Sequence, residues 1–302
     1  MKHSLLKMSD LTKTDIDDIL NLAVQLKYEN KNRIAHPHLA GKTLGMIFQK
    51  SSTRTRVSFE VGMYQLGGQA LFLSSRDLQI GRGEPVEDTA RVLGRYLDGI
   101  MIRTFEQKEV EDLAKWSGIP VINGLTDYAH PCQVLADLMT IREYKGSLEG
   151  LKLCFIGDGN NMANSLIVGG LTAGMSVAVA CPKNHMPHSD AVKLGERYPG
   201  RLLITDDVQK AAAGADVLYT DVWSSMGMES EAQQRIKDFA GFQVNAALEG
   251  LANPGVMVLH CLPAHREEEI TADTFERHAG EIFDQAENRL HAQKAVMVRL
   301  MS

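Results

Sequence analysis

Short apolar runs alternate with segments of helical spacing along nearly the whole chain, joined by short polar connections. In the first half, strand-like runs at 43–48, 70–73, 99–102 and 121–122 are separated by helix-like segments at 54–66, 86–97 and 107–117. In the second half, runs at 152–156, 177–180, 202–204, 217–220 and 256–259 alternate with further helical stretches. Such alternation with short connections predicts an α/β fold, with parallel strands covered by helices on both faces. The charged segment 143–150, which carries Gly146 and Gly150, follows a helical stretch at 133–144 and is a candidate hinge between two doubly wound sheets. At 302 residues the chain is long enough for each half to bury its own core. Ahead of the first strand, Ile16, Ile19, Leu20, Ala23 and Leu26 mark one face of a helix over 12–27, with Thr12 as its cap.

In parallel sheets of this kind, ligands bind beyond the carboxyl ends of the strands. Ser51-Ser52-Thr53-Arg54-Thr55-Arg56 follows the first strand-like run and opens the next helical segment. A helix start presents free N–H groups and the positive end of the dipole to an anion. Ser52, Thr53 and Thr55 add hydroxyl donors, and Arg54 and Arg56 add forked, permanent charges. That density of donors suits a phosphate. A net charge of −6 argues against general nucleic-acid binding, so the arginines form a local site. Three more polar groups occupy strand-end or loop positions: Gln79 in the glycine-bearing loop 77–85, Arg103 after the run 99–102, and His130-Pro131-Cys132-Gln133 before an apolar helix. Pro131 suits a first helical turn.

In the second half, Gly157-Asp158-Gly159-Asn160-Asn161 links a strand to a helix but lacks the third glycine of a dinucleotide fingerprint, so no nicotinamide cofactor is expected. Asp221-Val222-Trp223-Ser224-Ser225-Met226-Gly227 and His260-Cys261-Leu262-Pro263 each follow a strand. Taken singly, a carboxylate there commonly caps a helix and a cysteine commonly packs quietly. The four cysteines, Cys132, Cys154, Cys181 and Cys261, are far apart and form no Cys-x-x-Cys pair. That spacing fits a reducing cytoplasm, and no metal-ligand cluster is visible. No apolar run reaches membrane-spanning length, and from the polar stretch after Met1-Lys2-His3-Ser4 no signal peptide is expected.

Ser-Thr-Arg-Thr-Arg at 52–56, Gln-Ile-Gly-Arg-Gly-Glu at 79–84, Arg103 and His-Pro-Cys-Gln at 130–133 together resemble the carbamoyltransferase family, in the order that family shows. Asp-x-x-x-Ser-Met-Gly at 221–227 and His-Cys-Leu-Pro at 260–263, with Asn161 in its Gly-Asn-Asn-Met turn, resemble the ornithine branch rather than the aspartate branch. The resemblance implies a carbamoyl phosphate-binding domain over 1–145, a terminal helix at 285–302 packing back on it, and an ornithine-binding domain over 146–284. It implies an active site in the cleft between the domains. It assigns Ser52, Thr53, Arg54, Thr55, Gln79, Arg103, His130, Pro131, Cys132, Gln133, Cys261, Leu262 and Arg289 to carbamoyl phosphate, and Asn161, Asp221, Ser225 and Met226 to ornithine. Arg103, His130 and Cys261 are its catalytic residues, with no metal and no cofactor. It also implies a homotrimer in which Gln79 reaches the phosphate bound by the neighbouring subunit.

The activity so implied joins carbamoyl phosphate and L-ornithine into L-citrulline and phosphate, in arginine metabolism. Putrescine and N-acylornithine are the alternative acceptors. Putrescine lacks the α-carboxylate and acylation removes the α-ammonium, so Asp221 favours plain ornithine. An inactive trimeric binding partner would require decayed motif residues, and none is decayed.

Overall fold

The computed structural model describes residues 3–76, 78, 83–224 and 231–302. It divides into two compact units, Met1–Met139 with Glu287–Ser302, and Thr140–Ala286. In the first unit, helix α1 (Lys13–Lys31) opens with a capping box: Thr12 Oγ1 accepts from the amide of Asp15, and the Asp15 carboxylate accepts from the amide of Thr12. Its buried face is the one the spacing predicts, Ile16, Ile19, Leu20, Ala23 and Leu26. There follow β1 (Thr43–Phe48), α2 (Thr53–Gln65), β2 (Gln69–Ser74), α3 (Val86–Leu93), β3 (Gly99–Arg103), α4 (Gln107–Trp116) and β4 (Val121–Leu125). The four strands form one parallel sheet in the order β2-β1-β3-β4. Ile47, Ile100, Ile102 and Val121 pack with Ala90, Val110 and Leu113 in its core.

Several boundaries differ from the sequence expectation for local reasons. Helix α3 stops at Leu93 instead of running to 97: Gly94, a poor helix former, is its C-cap, and the amides of Arg95 and Tyr96 turn to the carbonyls of Val92 and Leu93 three residues back. A Cβ at Gly94 would lie 1.9 Å from the Ser117 carbonyl oxygen. β3 includes Arg103, which pairs with Phe48, and β4 continues to Leu125 through a register shift beside Ile102 and Arg103.

Helix α5 (Pro131–Lys145) begins in the first unit, with Pro131 at its first position. The second unit holds β5 (Lys152–Ile156), α6 (Asn161–Thr172), β6 (Ser176–Ala180), α7 (Ser189–Gly195), β7 (Leu202–Thr205), α8 (Val208–Ala212), β8 (Val217–Thr220), α9 (Ala232–Asp238), α10 (Ala246–Glu249), β9 (Met257–His260) and α11 (Ala272–Arg277). Its parallel sheet runs β7-β6-β5-β8-β9. The core gathers Ile156, Ala180, Leu218 and Val258 with Trp223, Phe239 and Phe275. The last helix, α12 (Ala279–Met301), starts earlier than the expected 285. Its later residues pack on α1 and α2, where Lys294 Nζ donates to the Leu26 carbonyl at 3.4 Å and to Gln65 Oε1 at 2.9 Å.

Both sheets are doubly wound. Strand order reverses between β1 and β3 in the first unit and between β5 and β8 in the second, the positions at which such sheets open a ligand crevice. No helix among the described residues is long and apolar enough to cross a membrane.

Candidate active site

The first group of residues lies at the reversal point of the first sheet. The amide of Gln49 donates to the Arg103 carbonyl at 2.9 Å, so the chain leaves β1 alongside the end of β3. Ser52 caps α2 in an extended conformation, its Oγ accepting from the amide of Thr55 at 3.2 Å. Thr53 and Arg54 are exposed in the first turn, where backbone N–H groups lack helical acceptors. Thr55 is only 1% exposed, and Arg103 and His130 are likewise buried in the same unit.

Arg289, on α12, ties these elements together. Its Nη1 donates to Gln133 Oε1 at 2.7 Å, its Nε to Gln293 Oε1 at 2.9 Å, and its Nη2 to Thr55 Oγ1 at 3.3 Å. Gln133 passes the constraint on, donating Nε2 to Asp137 Oδ1 at 2.8 Å. His130 is held well below the usual 6.5, first by burial and then by the positive fields of Arg289, Arg103 and Arg54. At neutral pH it is therefore an uncharged imidazole in a positive field. An arrangement of that sign binds an anion and offers N–H donors to a developing oxyanion.

One reading of this region changes. Arg56 is already engaged: its Nε pairs with Glu60 Oε1 at 3.0 Å, and its guanidinium lies over the Phe72 ring at 3.8 Å. The Cys132 thiol is buried and bonded to the Asn123 carbonyl at 3.4 Å, and burial pushes it up to about 12. Gln79 lies outside the described residues.

The second group lies at the reversal point of the second sheet. Ile156 pairs with Thr220, and Thr220 with His260, so the turns after β5, β8 and β9 are neighbours. Gly159 is required by packing, since a Cβ there would meet the backbone of Met186 and Pro187 at 2.2 and 2.3 Å. Asn160 caps α6 and donates Nδ2 to Asp221 Oδ2 at 3.2 Å. Asn161 is half-buried at the first position of that helix. Asp221 caps no helix among the described residues. Its Oδ1 accepts from the amide of Val222 at 2.8 Å and from the Cys261 thiol at 3.0 Å.

The turn after β9 is strained, with Leu262 at φ 59, in a region costly for a residue with a side chain. Its amide donates to His260 Nδ1 at 2.9 Å, and His260 Nε2 faces Glu269 Oε1 at 2.9 Å. The buried His260–Glu269 pair thus holds Cys261 and Leu262 in place. Among the described residues, His265, Glu268 and Glu269 have metal-like spacing. Glu269, however, is already engaged by His260 and by the amide of His265 at 2.6 Å. Ser225 and Met226 lie outside the described residues.

Sequence reasoning missed Arg235. This buried guanidinium donates to the Asp158 carboxylate and to the Trp223 carbonyl, clasping the turn after β5 to the loop after β8. Burial raises the Asp158 carboxyl, against the pull of Arg235 and His185. His185 Nε2 lies 2.9 Å from Asp238 Oδ2 and extends the network. Asp158 and Arg235 are 77 positions apart, and no local pattern links them.

Comparison with known proteins agrees across the full chain. Residues 3–143 match the family described as Aspartate/ornithine carbamoyltransferase, carbamoyl-P binding domain, and residues 149–300 match its Asp/Orn binding domain. The ornithine carbamoyltransferase of Syntrophotalea carbinolica is 54% identical over 302 residues, covering 100% of both chains. That of Anoxybacillus flavithermus is 56% identical over 300 residues, covering 98% of this chain and 96% of its own. Among solved structures, the ornithine carbamoyltransferase from Pyrococcus furiosus superposes with a TM-score of 0.94 at 51% identity, covering 99% of this chain and 96% of that one.

Proposed function

The chain belongs to the aspartate/ornithine carbamoyltransferase family, and from that premise we propose that it transfers the carbamoyl group of carbamoyl phosphate to the δ-amine of L-ornithine, yielding L-citrulline and phosphate. The observation that carries this reading is Arg289 bonded to both Thr55 and Gln133, in the same unit as buried His130, on which the positive fields of Arg289, Arg103 and Arg54 act. Full-length ornithine carbamoyltransferases at 54% and 56% identity support the choice of acceptor. The reaction belongs to arginine metabolism.

Ser52, Thr53, Arg54 and Gln79 take the phosphoryl oxygens, while Gln133 and the backbone at Pro131 and Cys132 orient the carbamoyl group. Thr55, Arg103 and His130 donate to its carbonyl oxygen. Arg289 holds Thr55 and Gln133 in the required orientation. Ornithine is met by Asp221 at its α-ammonium and by Asn161, Ser225 and Met226, and Cys261 and Leu262 serve the reacting atoms. The δ-amine has an ordinary pKa of about 10 and attacks only after losing a proton. Its lone pair forms the new C–N bond. The carbonyl oxygen takes up charge, stabilised by the donated hydrogen bonds, and collapse of this intermediate breaks the C–O bond to phosphate. The second proton lost from nitrogen passes to the departing phosphate or to water.

The proposed assembly is a homotrimer whose sites are shared through Gln79. Support comes from an exposed apolar strip: Val57, Val61 and Tyr64 on α2, with Leu71 and Phe72 on the edge strand β2. Water-facing apolar side chains grouped at a sheet edge are suited to cover by another chain. Cytoplasmic residence is supported by four cysteines that form no disulfide with one another.

A steady-state assay of citrulline formation tests the activity. With carbamoyl phosphate, ornithine is expected to be used at least about a hundredfold better than putrescine, aspartate or N-acetylornithine, since each leaves a site group unpaired. A preference for any of these three overturns the assignment.

A further inference from the structure

We infer that Gln293 is a positioning residue for carbamoyl transfer, acting through Arg289 and Ser58; this rests on the reaction proposed above. Gln293 is fully buried on α12, one helical turn beyond Arg289. Its Oε1 accepts from Arg289 Nε at 2.9 Å, and its Nε2 donates to Ser58 Oγ at 2.7 Å. Ser58 in turn donates its hydroxyl to the Thr55 carbonyl at 3.2 Å. Arg289 closes the ring by donating Nη2 to Thr55 Oγ1 at 3.3 Å.

The sense of every bond in this ring is determined. A guanidinium has only donors, so the Gln293 amide must turn its oxygen to Arg289 and its nitrogen to Ser58. Having accepted from Gln293, the Ser58 oxygen sends its proton to the Thr55 carbonyl. The Thr55 oxygen already accepts from Arg289, so its own hydroxyl proton points elsewhere, as a donor. The plane of the Arg289 fork and the polarity of the Thr55 hydroxyl are thereby set together.

Chemistry also explains why an amide occupies the position. Gln293 and Gln133 both present neutral oxygens to Arg289. A carboxylate at 293 would grip the guanidinium more strongly but cancel part of the positive field that an anion requires. Gln293 thus fixes the geometry of Arg289 while leaving its charge available.

The test compares Gln293→Leu, Gln293→Glu and Ser58→Ala with the wild-type chain. Gln293→Leu is expected to raise KM for carbamoyl phosphate about tenfold, the loss of one hydrogen bond to a charged group, with KM for ornithine close to wild type. Binding of inorganic phosphate, measured by calorimetry, should weaken in parallel. Gln293→Glu retains an acceptor for Nε but should also weaken phosphate binding, through its added charge. Ser58→Ala should show the same selectivity at about threefold, and it decides the matter should Gln293→Leu not fold. A lowered thermal midpoint with unchanged KM for carbamoyl phosphate and unchanged phosphate affinity would mark a structural role and overturn the inference. Absence of citrulline formation by the wild-type chain would instead overturn the proposed reaction.

Discussion

The Cys261 thiol donates to Oδ1 of Asp221 across 3.0 Å, joining the ends of the adjacent strands β9 and β8. With Asn160 Nδ2 on the other oxygen and the Val222 amide on the same one, three donors converge on a single carboxylate. Asp221→Asn puts an NH2 group against at least one of these donors and removes the charge proposed to face the ornithine α-ammonium. KM for ornithine should rise about ten- to a hundredfold, the range for losing a hydrogen bond to a charged group. Carbamoyl phosphate binding by the free enzyme should stay near wild type in calorimetry. Equal losses for both substrates would assign Asp221 a purely structural task.

Arg54→Lys tests the phosphate side. Arg54 stands exposed in the first turn of α2, and lysine keeps its charge but loses the planar fork. A drop of about ten- to a hundredfold in kcat/KM for carbamoyl phosphate is expected. The comparison variant Arg56→Lys should have little effect, because Arg56 is occupied by Glu60 and Phe72. Similar losses in both variants would contradict the separation of the two arginines.

The environment of His130 predicts an acid limb of stability. Its folded-state pKa lies well below 6.5. As pH falls below the unfolded value, the unfolded chain binds a proton that the native state refuses, so stability is lost. The slope from this single group approaches about 1.4 kcal/mol per pH unit. Urea midpoints between pH 7 and pH 5 should therefore fall more steeply for the wild-type chain than for His130→Asn. Parallel curves would show that the imidazole titrates normally.

Lys294 predicts the opposite limb. Burial lowers it to about 8 from 10.5, with Glu29 opposing the shift. Its Nζ sits among the Leu26 carbonyl, Gln65 Oε1 and His36 Nε2. Between these two pKa values the unfolded chain holds a proton that the native state has released, so stability rises with pH. Thermal midpoints of the wild-type chain relative to Lys294→Met should climb from pH 8 toward pH 10. A flat difference would refute the shift.

Local signals carried much of the architecture. The capping box at Thr12 and Asp15, the cap at Ser52 and the strand-end position of Arg103 all follow from neighbours a few residues away. Even the separation of Arg54 from Arg56 was available in principle, since residues two apart on a helix point to opposite sides. The early start of α12 was obscured by Gly280, a poor helix former, and Ile282 is fully buried in the core of the second unit.

The sequence by itself determined which segments become strands and helices, and which polar turns stand at strand ends. Those properties depend on backbone preference and on apolar spacing over a few residues. Only the tertiary structure decided how the side chains at those ends are aimed. Arg289 meets Gln133 across 156 positions and Thr55 across 234, and Asp158 meets Arg235 across 77. A buried donor takes whichever acceptor folding brings within reach, and that choice is made by packing rather than by any short-range pattern.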